Sequence, residues 1–228
     1  MILPVSLVLV LAVCRVGGAE SFQFPSLGPK EQHFVYTLLH ECRRSSKNIT
    51  KALNCDQVSN ETRFVVVHGN EDDSWLPLPY EQIKMTFGHN IGESYGLLRW
   101  ITEHYDCLPM YTIFLHSGKK HWHRSIDFMK KMRKSEPKTI LPLSNGPSQQ
   151  YSSQFITQTI KPNPPVPEVL LLSALSQVAF GMDAAHVYTS ERISQMFCCI
   201  ESVVHREAIL RHRNSIYQQM TCLIAKDT

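Results

Sequence analysis

The pattern of apolar and polar positions divides the chain into short blocks. Phe64-Val65-Val66-Val67 is a continuous, mostly β-branched run, so Arg63 to His68 is predicted as a buried strand. A polar stretch follows, Gly69-Asn70-Glu71-Asp72-Asp73-Ser74, and Trp75-Leu76-Pro77 closes it against something apolar. Asn90-Ile91-Gly92-Glu93 reads as a helix start, with Asn90 as the cap and Glu93 reaching back to the cap amide. Leu97, Leu98, Ile101 and Tyr105 then share one face, and Pro109 blocks continuation. Met110 to Leu115 is a second buried strand. Strand, loop, helix, strand in that order predicts an α/β fold with a mostly parallel sheet flanked by helices.

The remaining blocks are less regular. Lys30 to Cys42 is compatible with a helix, and Ser125 to Lys134 reads as a short basic one. Residues 135–167 are rich in Pro, Ser, Gln and Asn and read as a long surface loop or a flap over a site. Glu168 to Phe180 is apolar and expected to be buried. Thr189 to about Leu223 reads as helical, with a break near His205.

The N-terminus changes the picture. Ile2 to Val13 is apolar apart from Pro4 and Ser6, and Gly17-Gly18-Ala19 supplies small residues behind it. That is the layout of a secretory signal peptide over residues 1–19, with cleavage expected after Ala19. Residues 20–62 then form an N-terminal helix and glycosylated loop, and 63–228 a single α/β domain with a helical C-terminal part. Asn48-Ile49-Thr50 and Asn60-Glu61-Thr62 are N-glycosylation triplets, which places Asn48 and Asn60 on the surface. Beyond Cys14, six cysteines remain, an even number that suits disulfides in an oxidising compartment. Cys42 with Cys55 is the most local pairing. Cys198 and Cys199 are adjacent and are expected to reach two different partners. The expected location is therefore outside the cell or in the secretory-pathway lumen.

Composition removes several classes. Hydrophobic residues at 43% and charged residues at 19% fit a globular chain. A net charge of +3 is too small for a basic field aimed at nucleic acid. No apolar stretch reaches the roughly 18–20 residues that span a bilayer.

In parallel α/β sheets, ligands bind beyond the carboxyl ends of the strands. Two such ends carry chemistry here. The first holds Asn70, Glu71, Asp72 and Asp73; the second runs from His116 through Ser117, Gly118, Lys119, Lys120, His121 and Trp122 to His123. Carboxylates there can contact sugar hydroxyls, bind a divalent metal or act as a base, and a solvated turn would use the same residues. His116, His121 and His123 suit a transition metal or the wall of a ligand site. Gly92-Glu93-Ser94-Tyr95-Gly96 also fits the loose G-x-S-x-G pattern of a hydrolase elbow, which would make Ser94 a nucleophile.

Several of these segments occur together, and in the same order, in one family. They are Asn70-Glu71-Asp72-Asp73-Ser74-Trp75-Leu76, Asn90-Ile91-Gly92-Glu93, Tyr105-Asp106-Cys107-Leu108-Pro109, Phe114-Leu115-His116 and Trp122-His123. On them the chain resembles an uncharacterised family known only as a domain of unknown function, over roughly residues 63–205. It departs from that pattern at Gly69, where the family often has an aromatic residue, and between Gly92 and Glu93, where the family has one residue more. The family's layout is similar to the nucleotide-sugar half of GT-A glycosyltransferases. The resemblance implies a GT-A-like fold that binds a nucleotide sugar or a glycan. It would use Glu71 and Asp72 as donor contacts or as a base, and Asn70, Asp73, Glu93, Lys119 and Trp122 in binding. GT-A enzymes carry an acidic metal motif after a later strand; here that position reads His116-Ser117-Gly118. His116, His121 and His123 would replace that motif, or no metal is used. A non-catalytic binding protein on the same fold, and a serine hydrolase built on Ser94, are the alternatives.

Overall fold

The computed structural model describes residues 28–45, 55–84, 92–119, 127–134, 136, 140–143, 174, 178 and 201–225. Within them the chain forms helix α1 (Pro29–Ser45), helix α2 (Cys55–Ser59), strand β1 (Arg63–His68) and strand β2 (Tyr80–Ile83). Helix α3 (Gly92–His104) follows, runs into a 3-10 turn (Tyr105–Cys107), and leads to β3 (Tyr111–His116). Then come α4 (Phe128–Lys134), β4 (Ile140–Pro142), β5 (Ser202–His205), α5 (Arg206–Leu210) and α6 (Asn214–Ala225).

The five strands make one sheet in the order β2-β1-β3-β5-β4. The two strands expected to be neighbours are neighbours: β1 and β3 pair in parallel along their full length, His68 opposite His116. β1 also pairs in parallel with β2. The other two ladders, β3 with β5 and β5 with β4, are antiparallel. The sheet is therefore mixed rather than a mostly parallel one. Periodicity reports which faces of a strand are buried but not its direction, so nothing in Ser202-Val203-Val204-His205 announces the reversal.

Alternation along the strands feeds two cores. Phe64, Val66, Phe114 and Val204 face α1, α3 and α6, whose contributions include Val35, Leu39, Trp100, Ile101, Met220 and Leu223. Val65, Val67, Ile113, Leu115 and Val203 face the other way, onto Leu76, Phe128, Met132 and Leu143. Trp100 is fully buried between Phe64 and Phe114 and stacks on His104. Helix α1 is part of this core: Val35, Leu39 and Cys42 recur at helical spacing on its buried face.

Two disulfides join the described residues, Cys42–Cys222 and Cys55–Cys107. The local Cys42–Cys55 pairing is thus wrong, although both cysteines are oxidised. α1 lies beside α6 and α2 beside the 3-10 turn, so spatial neighbours replaced sequence neighbours. Cys198 and Cys199 lie outside the described residues. No helix among the described residues is long and apolar enough to cross a membrane.

The region read as helix from Thr189 to Leu223 is corrected within its described part: β5 occupies Ser202–His205, with α5 and α6 behind it. Strands β2 and β4 were not legible at all. β2 is a sheet-edge strand of four residues with a polar centre, and β4 has three residues ending in Pro142, which suits an edge.

Candidate functional site

The chain leaves β1 toward β2 on one side and returns to β3 on the other, so β1 and β3 flank the point where the strand order reverses. Loops leaving such a pair diverge, which makes their carboxyl ends the natural crevice of an open α/β sheet. His68 and His116 end the two strands as register partners. The predicted acid loop and histidine loop begin immediately after them.

Two glycines let those loops touch. Gly69 has φ of 138° and Gly118 φ of 80°, conformations that favour glycine. A Cβ at Gly69 would overlap the Ser117 side chain, and one at Gly118 would overlap the Glu71 carboxylate. The contacts are reciprocal: each loop supplies a glycine against which the other lays a side chain. Ser117 N–H also donates to the His68 carbonyl (2.8 Å), and Gly69 N–H to the Ile83 carbonyl (3.1 Å). An aromatic residue at position 69 could not adopt this packing without moving Ser117.

Asp73 binds the loops into one unit. It is 2% exposed, its Oδ1 accepts from Gly118 N–H (3.0 Å), and its Oδ2 accepts from Gln82 Nε2 (3.0 Å). Gln82 Nε2 also donates to the Glu71 carbonyl (2.8 Å). Asp73, expected as a ligand contact, thus anchors both loops and the end of β2.

Its neighbours face water. Asn70, Glu71, Asp72 and Lys119 are exposed. The Ser74 N–H donates to Asp72 Oδ1 (3.0 Å) and the Ser74 hydroxyl to Oδ2 (2.8 Å). Those bonds, the backbone one first, hold the Asp72 carboxyl below its ordinary pKa. Asp72 is a firmly ionised carboxylate and therefore a weak base.

One residue of this edge escaped sequence reasoning. Glu201 precedes the reversed strand β5, is 1% exposed, and accepts from the His116 N–H at 3.4 Å. The reversal of β5 brings its start beside the end of β3. Only a Glu heading an apolar run hinted at it, and reading that run as helix hid its position.

The other expected site residues are placed as follows. His116 ends β3, half-buried. His121, Trp122, His123 and Asn48 lie outside the described residues, as does the side chain of Glu93, in the first turn of α3. Asn60 is exposed. Ser94 also lies in the first turn of α3. The last glycine of its G-x-S-x-G pattern has a packing explanation: a Cβ at Gly96 would stand 2.9 Å from His68 Nδ1 and 3.3 Å from Ile83 Cγ2. Among the described residues no three His, Cys, Asp or Glu side chains gather as metal ligands.

No curated protein and no solved structure matches the chain. A family model does match, over residues 70–228, from the acid loop to the end of the chain. The chain therefore belongs to the family described as "Protein of unknown function (DUF3431)".

Proposed function

We propose that this chain binds a nucleotide sugar or a glycan at the carboxyl ends of β1 and β3, as a GT-A glycosyltransferase-like protein of the secretory pathway. The observation that carries the proposal is the locked loop pair at the strand-order reversal. Gly69 and Gly118 hold the acid loop and the His116 loop against one another, with Asn70, Glu71, Asp72 and Lys119 left facing solvent.

The charge of the site narrows what it can hold. The amides of Gly69, Ser117 and Gly118 are all spent on internal acceptors. Those three amides are therefore not available to a phosphate. Exposed carboxylates instead accept hydrogen bonds from hydroxyls, as a ribose or a pyranose presents them. A diphosphate beside Glu71 and Asp72 needs positive charge, from Lys119 or from a divalent cation. Such a cation can be held by one or two carboxylates together with the donor's own phosphates. The strongly ionised Asp72 suits that role.

The roles then separate. Asp72 contacts hydroxyls or a cation, Asp73 and the two glycines fix the frame, and Glu71 is the exposed carboxylate left to act as base. His116, with His121 and His123, lines the acceptor side or holds a metal. Asp73 and Asp72 are both engaged by internal donors, which also favours a second reading: a binding protein on this fold that carries out no transfer. Glu71→Gln separates the two when donor consumption and donor affinity are measured together. A transferase loses turnover while affinity changes by less than tenfold. Turnover undetectable in the wild type with any nucleotide sugar, alongside intact binding, contradicts the transferase and leaves the binder. The two disulfides support an oxidising compartment.

A further inference from the structure

The triplet Asn60-Glu61-Thr62 plays no part in the site, and its place in the fold gives it a different role. Glu61 N–H bonds the Val58 carbonyl (3.2 Å), which sets Asn60 at the corner of the turn that ends α2. Asn60 and Thr62 are both exposed, so the acceptor amide and the hydroxyl two residues on reach solvent together. Tyr111 N–H donates to the Thr62 carbonyl (2.9 Å), at the start of both β1 and β3. The acid loop leaves the other end of β1, roughly 16 Å away at the usual strand rise. Cys55, five residues before Asn60, is disulfide-bonded to Cys107, evidence for the oxidising compartment in which N-glycans are added.

We propose that Asn60 carries an N-linked glycan on the pole opposite the loop pair, leaving that pair open to ligand. In the modification, Asn60 Nδ2 bonds to C1 of a sugar carried on a lipid diphosphate. The C1–O bond breaks, the lipid diphosphate leaves with its electron pair, and one amide proton passes to a base of the transferring enzyme. The glycan also stands at the end of the sheet where the Met110 side chain is exposed, and would shield it.

The test is expression of the full chain through a eukaryotic secretory pathway, followed by electrophoresis with and without peptide-N-glycosidase and by mass spectrometry of the peptide holding Asn60. The proposal expects a glycosidase-sensitive step that is lost in Asn60→Gln and in Thr62→Ala but kept in Thr62→Ser. A wild-type peptide with unmodified Asn60, or mobility unchanged in both loss variants, overturns it. Should Asn60→Gln fail to be secreted, the threonine pair and the wild-type peptide still decide the question.

Discussion

The two ends of the β1–β3 ladder are built in opposite ways. At the start of the strands the chain is closed: Cys55–Cys107 staples α2 to the 3-10 turn, Tyr111 N–H takes the Thr62 carbonyl, and the Arg63 guanidinium lies over the Tyr111 ring. At the far end no described disulfide intervenes. The loops are held by two glycines and one buried carboxylate, and their other charges point outward. One end spends its residues on closure. The other spends buried polar contacts on holding exposed groups in place, which is the arrangement binding requires.

The largest test of this contrast lies in the stapled core. Cys42→Ser with Cys222→Ser opens a bond that spans 180 residues of sequence. It should cost about 2–5 kcal/mol and lower the melting temperature by roughly 5–15 °C. Trp100→Ala, in the same core, should cost about 3–5 kcal/mol in denaturant unfolding. Ligand affinity measured well below the new melting temperature should survive the disulfide change, because the loops do not depend on it. A loss of affinity there would show the helical core and the loops to be coupled.

At the other end, Asp73→Ala leaves the Gly118 N–H and the Gln82 amide without their shared acceptor. It should cost about 2–3 kcal/mol, and unlike the disulfide variant it should abolish ligand binding. Gly118→Ala forces a positive φ on a residue with a Cβ and pushes on Glu71. A loss of about 1–2 kcal/mol with the same binding defect is expected. If Gly118→Ala binds as the wild type does, the close contact of the loops is not needed.

The smallest effect belongs to Asp72, and it is one of pH. Its folded pKa lies below the ordinary value, so its contribution to stability is complete above the unfolded pKa and is lost as pH falls through the folded one. The difference in melting temperature between wild type and Asp72→Asn should therefore be present at pH 7 and shrink below about pH 4. A difference that grows on acidification would contradict the Ser74 hydrogen bonds as its cause.

The pattern of legibility follows the same divide. β1 and β3 were readable because buried parallel strands are continuous apolar runs, and Phe64 to Val67 is one. α3 was readable from Leu97, Leu98 and Ile101. The acid loop and His116 were found because exposed polar residues directly after a buried run stand out. The frame beneath them was not legible. That Asp73 would turn inward while Glu71 and Asp72 stay outside depends on where Gly118 and Gln82 arrive. Glu201 entered the site through a strand reversal that four residues cannot signal. Disulfide pairing likewise depends on which helices meet, so Cys42 took Cys222 rather than the nearer Cys55.

The most direct measurement is thermal unfolding of the disulfide-intact protein against a panel of nucleotide sugars, each with and without Mn²⁺, for wild type and Glu71→Gln. A ligand at 100 times its Kd stabilises by about 2.7 kcal/mol, a rise of roughly 5–10 °C for a domain of this size. The account predicts such a rise for wild type with at least one nucleotide sugar, and a rise in Glu71→Gln smaller by no more than a tenfold change in affinity allows, about 1.4 kcal/mol. No rise with any member of the panel, or a rise lost altogether in Glu71→Gln, would contradict it.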